Sequence, residues 1–291
     1  MEPAEQTPDK ISVAALGDIA ETLLIPLAAR ASAPRLNPDL AFADPVAQGL
    51  MERLETDPDR FTGDPSSMRG SLLRTQWFDR VTADFLRRHP DGLCVNLGAG
   101  LDARAPRVGF AGYEGADWID VDREPVMALR GVLIENRPRV SALTADIAET
   151  GWIDALPWPK GRPALVMAEG VMMYLAPDGA EGLIQALAAA AEKRRAPLVL
   201  AFDYASPLLV RNSRRHPSVK KTQARFSWAL RRPKDLQRLD AGLLCTEQAD
   251  IMAHCGLASL VVGTLYRWFT FGRLIYACAR FERQPGLKPV S

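Results

Sequence analysis

The stretch that most constrains this chain runs from Leu93 to Arg104, Leu-Cys-Val-Asn-Leu-Gly-Ala-Gly-Leu-Asp-Ala-Arg. Leu93, Cys94, Val95 and Leu97 form a short apolar run with a β-branched member, closed by Gly98, and predict a buried parallel strand. Gly98 and Gly100 lack a Cβ, so they adopt backbone angles closed to other residues and let the main chain lie against a ligand. About twenty residues on, Asp117-Trp118-Ile119-Asp120-Val121-Asp122 predicts a second strand ending in acids, whose last carboxylate can accept both hydroxyls of a ribose. The two pieces point to a cofactor that carries an adenosine. They leave its identity open, because Gly98-x-Gly100-x-x-Ala103 also satisfies the relaxed nicotinamide fingerprint.

Composition narrows the class. With 291 residues, 47% of them hydrophobic, the chain can bury a large α/β core. Its formal net charge of +1 does not suit a polyanion-binding protein, so a nucleic-acid role would need a local basic patch. Cys94, Cys245, Cys255 and Cys278 are scattered and form no Cys-x-x-Cys pair, which predicts small buried hydrophobes in a reducing compartment and neither a disulfide framework nor a metal site. No basic region precedes an apolar segment at the N-terminus, and no apolar run reaches spanning length, so the expectation is a cytoplasmic protein off the membrane.

Three helices are predicted before the first strand: 13–30, 45–54 after the capping Asp44, and 69–88 with Leu72, Leu73, Phe78, Val81 and Phe85 as its apolar stripe. A dehydrogenase of the Rossmann type usually opens on the strand itself, so this cap of residues 1–90 counts against that reading. Residues 91–291 then form the cofactor-binding domain. A helix over 125–137, strands over 140–143, 164–168 and 197–202, and an alanine-rich helix over 180–193 capped by Asp178 alternate, as in a parallel sheet covered on both faces. Ligands bind at the carboxyl ends of such strands. Between 205 and 240 the alternation stops: ten Lys or Arg stand against Asp235 and Asp240, with Phe226, Trp228 and Leu230 among them, and the stretch is expected to close over the site as a lid. The tail is read as a short helix over 247–255 and two strands, 257–264 and 274–279, in an antiparallel hairpin. The predicted fold is therefore α/β, a doubly wound, mostly parallel seven-stranded sheet of the class I methyltransferase kind.

Several phrases resemble the leucine carboxyl methyltransferase family, in the branch that includes polyketide O-methyltransferases of the tetracenomycin type. They are Glu21 to Ala31, Asp44-Pro45-Val46-Ala47, Arg74-Thr75-Gln76-Trp77-Phe78-Asp79, Val95 to Arg104, Trp118 to Asp122, Ala145-Asp146-Ile147 and Ala168 to Leu175. The resemblance implies S-adenosylmethionine as cofactor and S-adenosylhomocysteine as product. It also implies a set of roles. Arg74, and Arg30 as a second clamp, would hold the methionyl carboxylate. Gly98 and Gly100 would line the methionyl and ribose part, with Asp102 and Arg104 fixing the loop, and Asp122 would bind ribose beside a structural Asp120. Asp146 would accept the adenine amino group with Ile147 against the ring, and Glu169 would border the sulfonium. Ala103 and Ile147 depart conservatively from the family's usual Thr and Leu.

Methyl transfer from a sulfonium is an in-line displacement with a good leaving group, so positioning supplies most of the acceleration. A carboxylate acceptor needs no base, whereas a phenol needs deprotonation or a cationic neighbour. Asp203 at the tip of strand five and His216 in the basic segment are the candidate bases; Tyr174 with Met172, Met173, Phe226 and Trp228 would form an apolar acceptor pocket. The leading expectation is O-methylation of a carboxylate or phenol on a small, aromatic, polyketide-like acceptor. The alternatives are an RNA or protein-carboxylate methyltransferase, an NAD-dependent dehydrogenase and a non-catalytic binding relative. Oligomeric state is not legible.

Overall fold

The apolar runs at 93–97 and 164–168 are buried along their whole length because both faces of the strands they form are covered. A computed structural model describes residues 10–13, 18–61, 63–213 and 225–286. Its strands are β1 (Leu93–Leu97), β2 (Asp117–Asp122), β3 (Val140–Thr144), β4 (Ala164–Ala168), β5 (Leu198–Ala205), β6 (Leu244–Asp250) and β7 (Tyr276–Arg283). They form one sheet in the order β3-β2-β1-β4-β5-β7-β6. The first five run parallel, and β7 is antiparallel to both β5 and β6. The strand order reverses between β1 and β4, the switch point at which such sheets open a crevice.

The helices are α1 (Asp18–Leu36), α2 (Pro45–Arg53), α3 (Pro65–Arg88), α4 (Arg104–Arg107), α5 (Glu124–Leu133), α6 (Pro177–Arg194), α7 (Pro207–Asn212) and α8 (Leu257–Phe269). Asp44 caps α2 as expected, accepting from the Ala47 amide at 3.0 Å with Pro45 in the first turn. Leu24 and Leu27 of α1, Leu50 of α2 and Met68 and Leu72 of α3 make a core of their own. The second half of α3 leaves that cluster and lays Phe78, Val81 and Phe85 on Cys94, Trp118 and Met167 of the sheet. α3 therefore ties the helical cap to the layer beneath it. The opposite face of the sheet is covered by Leu183, Ile184 and Leu187 of α6.

Several expectations are corrected. α1 ends at Leu36, six residues past Arg30, and Asp178 lies in the first turn of α6, whose cap position is Ala176 before Pro177. β5 runs on to Ala205 because β7 pairs with it as far as Ala205 opposite Tyr276, so Asp203 lies inside the strand and not at its tip. The helix expected over 247–255 is the second half of β6 followed by a short turn at Met252–His254, since inward Cys245, Glu247 and Ala249 alternate with outward Leu244, Thr246 and Gln248. The stretch 257–264, expected as a strand, is α8, and the final strand starts at Tyr276. Trp228, expected at the acceptor, and Leu230, expected in the segment over the site, join the main core with Leu236, and Trp228 packs edge-on against Phe202. Backbone bonds from Ser227 to Met173 and from Leu230 to Ala205 fix this part of the basic segment to the sheet.

The second strand carries the main anchor of the glycine turn. Asp120 accepts from Arg130 at 2.5 Å, Trp118 Nε1 at 2.9 Å and Asn96 at 3.0 Å, while Arg130 Nη1 donates to the carbonyls of Gly100 and Asp102 at 2.8 and 2.7 Å. Asp120→Ala would strand a buried guanidinium, and we expect a loss of about 3–5 kcal/mol in urea unfolding. A loss under about 1 kcal/mol would show that Arg130 finds other partners.

Candidate active site

A cavity of about 590 Å³ opens at the carboxyl ends of β1, β2 and β4. Its lining includes all eight residues expected around the cofactor: Arg30, Arg74, Gly98, Gly100, Asp122, Asp146, Ile147 and Glu169. Gly98 and Gly100 hold φ of +59° and +51°, in the left-handed region. A Cβ at Gly98 would stand 2.4 Å from Val171 Cγ2, and one at Gly100 2.8 Å from Leu23 Cδ2. Both positions thus require glycine for backbone angle and for space. The Gly100 amide donates to Asp122 Oδ2 and the Arg123 amide to Oδ1, each at 2.8 Å. Burial raises the Asp122 carboxyl above the ordinary carboxylate range, against the pull of those two amides. Asp146 accepts from the Ala148 amide at 3.0 Å, which fixes the β3 loop beside buried Ile147.

Beneath the cavity runs a chain of alternating arginines and carboxylates. Arg30 donates to Asp44 at 3.1 Å and to the Leu101 carbonyl at 3.1 Å, so these bonds brace the glycine turn. Arg107 joins Asp44, Asp79 and Asp102, and Arg104 joins Asp79, Asp102 and Glu169. Arg74 closes the chain. Its Nε reaches Glu169 at 3.1 Å, and its Nη1 reaches Asp203 at 3.1 Å and the Tyr276 hydroxyl at 2.8 Å. Burial works to raise the Glu169 carboxyl, but Arg104 and Arg74 outweigh it and hold the group below its usual range. Gly170, at φ +69°, lies against this guanidinium: a Cβ there would stand 3.0 Å from Arg74 Nη2.

A second cavity of about 400 Å³ lies on the other side of Arg74. It shares Pro26, Arg74, Gly170 and Tyr174 with the first, and its walls include Met173, Phe226, Cys255 and Tyr276. Tyr174 and Phe226 meet edge to face with centroids 5.2 Å apart. Burial pushes the Tyr174 phenol up to about 12 and raises that of Tyr276 as well, so both keep their protons at neutral pH. The Ser71 hydroxyl, buried and without a hydrogen-bond partner, also lines this space. Asp203 lines neither cavity. Fully buried, it accepts from Arg74, from the Gly170 amide at 2.6 Å and from the Tyr276 hydroxyl at 2.5 Å, which is the environment of a positioning carboxylate. Met172 is core and Met173 alone of the pair faces the second cavity. His216 lies outside the described residues.

Sequence reading missed Arg130, Tyr276, Ser71 and Gly170. For Arg130 and Tyr276 no local pattern marks the role: each meets its partners only through the fold. The glycine following Glu169 at a strand end was a visible signal for Gly170.

Residues 24–188 match the model of the leucine carboxyl methyltransferase family. The chain belongs to that family. It is 33% identical over 235 residues to the tetracenomycin polyketide synthesis O-methyltransferase TcmP of Streptomyces glaucescens, covering 80% of this chain and 83% of the relative. It is 27% identical over 272 residues to the S-adenosyl-L-methionine-dependent methyltransferase dpfgK of Gibberella zeae, covering 87% and 91%. A DUF574 family protein from Streptomyces avermitilis superposes with a TM-score of 0.57 at 15% identity, over 88% of this chain and 97% of that one, a likeness of fold. The chain is accordingly an S-adenosylmethionine-dependent methyltransferase on a class I sheet. Among the described residues no helix is long and apolar enough to cross a membrane.

The glycine turn offers a clean separation of causes. Gly98→Ala is expected to destabilise by the left-handed backbone cost, about 1–2 kcal/mol, plus a clash with Val171. Adding Val171→Ala should recover the clash and leave the backbone part, as read from denaturant midpoints. A double variant no more stable than Gly98→Ala would put the whole cost in the backbone.

Proposed function

We propose that the protein transfers the methyl group of S-adenosylmethionine to an ionised oxygen, carboxylate or phenolate, of a small and predominantly aromatic molecule. One observation carries the reading: two cavities meet at Pro26, Arg74, Gly170 and Tyr174, one at the switch point with arginines and carboxylates in its wall and a more apolar one beyond it. A methyl donor and its acceptor need such a junction, because the reacting atoms must come within near-attack distance while water is kept out.

The residues present suit the cofactor. Gly98 and Gly100 leave a cradle that a Cβ would fill, Asp122 keeps acceptor capacity on both oxygens, and Asp146 sits at the tip of β3. When bound, S-adenosylmethionine supplies an electrophilic methyl group on a sulfonium. In this reading Asp122 takes the ribose hydroxyls, Asp146 and Ile147 the adenine, and Glu169 borders the sulfonium. Arg74 meets the methionyl carboxylate, with Arg30 bracing the turn beside it. Asp203 and Tyr276 keep the Arg74 fork in place from behind. Tyr174, which holds its proton, and Ser71 are placed to donate hydrogen bonds to the acceptor. Among the described residues neither phenol at the second cavity gives up a proton near neutrality and Asp203 is enclosed, which supports an acceptor oxygen that arrives already ionised. A carboxylate or an acidic phenol meets that condition.

Asp122→Asn should weaken S-adenosylhomocysteine by roughly tenfold to a hundredfold in calorimetry, the value of one charge-assisted hydrogen bond of about 1.5–3 kcal/mol. Because burial raises the Asp122 carboxyl, wild-type affinity should fall as pH drops through that raised value and the group takes a proton, while the Asn variant stays flat there. Unchanged affinity in Asp122→Asn would remove Asp122 from the ribose site. With radiolabelled methyl donor, aromatic carboxylic acids and acidic phenols should be labelled and uncharged alcohols should not. Labelling of the alcohols alone would overturn the acceptor class.

A further inference from the structure

α8 is inverted relative to an ordinary surface helix. The side turned to the rest of the protein carries Ser259, Gly263, Tyr266 and Thr270, of which only Gly263 is fully buried. At about 100° per residue, the opposite arc of about 140° holds Leu257, Val261, Val262, Leu265, Trp268 and Phe269, with Ala258 as the other member and no polar side chain. Leu257 is 78% exposed, Trp268 73%, Phe269 69%, and Phe271 just beyond the helix 90%. Eight of the twelve large apolar side chains exposed among the described residues lie in this one short stretch. Taking about 150–250 Å² per aromatic side chain and less per aliphatic one, the patch exposes on the order of 900 Å² of apolar surface. A typical monomer's largest patch is about 300–600 Å². One partner of a standard stable interface contributes about 800 Å².

We propose that this face is the contact of a two-fold homodimer, in which two α8 helices pack antiparallel about their midpoints at Gly263. The area fits one partner's share of such a contact, and the sequence of the face complements itself. A two-fold axis at Gly263 sets small Ala258 against Trp268 of the partner subunit, Val261 against Leu265 of the partner subunit, and Leu257 against Phe269 of the partner subunit. Helix dipoles then run in opposite directions. No Asp or Glu occurs between Asp250 and Glu282, so the contact needs no charge pairing. Arg267 stands on the flank, and the two Arg267 residues lie about 12 Å apart along the axis, more than the ~8 Å screening length of physiological salt. Ser259 and Cys255 also line the second cavity, so the same contact steadies one wall of that cavity.

Sedimentation equilibrium of the full chain at tens of micromolar should return twice the 31.9 kDa chain mass. Val261→Glu with Leu265→Glu should return a folded monomer with the wild-type far-ultraviolet circular dichroism spectrum, because both side chains are half exposed in the single chain. A mixture of the Ala258→Cys and Trp268→Cys proteins should form an intermolecular disulfide on mild oxidation that neither variant forms alone. A monomeric wild type would overturn the proposal. If that monomer co-sediments with phosphatidylcholine and phosphatidylserine vesicles and the double Glu variant does not, the face belongs to a membrane surface. A double Glu variant that remains dimeric, or a dimer in which the mixed cysteines do not cross-link, would likewise overturn it.

Discussion

Glu169 is the point on which the two halves of the molecule meet. It leaves the end of β4 and is held from two directions, by Arg74 and Thr75 of α3 and by Arg104 of the glycine loop. The first partners belong to the helical cap and the last to the strand-to-helix turn. Phe78, Val81 and Phe85 fix the distance of α3 from the sheet but not its register, which the polar contacts set: those to Glu169, those of Arg74 to Asp203 and Tyr276, and those of Trp77 and Arg80 to Glu247. The charge-assisted bonds specify register because a guanidinium fork satisfies two oxygens in only a few orientations. Arg104 continues the specification to Asp79 and Asp102, and Arg107 carries it to Asp44, the residue that also caps α2.

Such a network is costly in isolation. Each buried ion loses several kcal/mol of hydration, and mutual attraction repays this only where hydrogen bonds satisfy the remaining donors and acceptors. Here Asp102 is held well below the ordinary carboxylate range despite its burial, because Arg104, Arg107 and Arg30 surround it, while Arg104 Nη1 is buried without a hydrogen-bond partner. A purely apolar cap would have covered the sheet as well. It would not have left charged groups facing the first cavity, and Arg74 could not present a guanidinium there without Asp203 and Tyr276 behind it. The cost of burial is met by the same residues that aim the site.

What could be read from the sequence follows from how local each signal is. β1, β2 and β4 were legible to the residue, because a buried parallel strand is a short apolar run closed by glycine or acid. Gly98, Gly100, Asp122, Asp146, Ile147 and Glu169 lie at or just beyond strand ends, which converge in any doubly wound sheet, whereas Arg30 and Arg74 come from helices α1 and α3 and were expected there only through the family resemblance. Asp203 and Trp228 were misplaced for one reason: both depend on β7, which is remote in sequence. Pairing with β7 extends β5 past Asp203, and the core that receives Trp228 includes Phe281 and Ala279 of β7. Arg130 was invisible because its partners, Asp120 and the loop carbonyls, are ten to thirty residues away and become neighbours only after the strand and helix fold back.

The misreading of 257–264 has a different origin. Leu-Ala-Ser-Leu-Val-Val-Gly-Thr was read as a strand because it and the apolar run 274–279 have the spacing of an antiparallel hairpin. α8 turns its apolar residues outward. Its inner line is Ser259, Gly263, Tyr266 and Thr270, each small or carrying a hydroxyl, and Gly263 is the one position fully enclosed. The periodicity was helical throughout, since Leu257, Val261, Leu265 and Trp268 follow the spacing of one helical face. The missing inference was that the core for that face need not lie within the same chain. A sequence pattern specifies which side chains must leave water, and only the three-dimensional arrangement shows whether the protein itself provides the place.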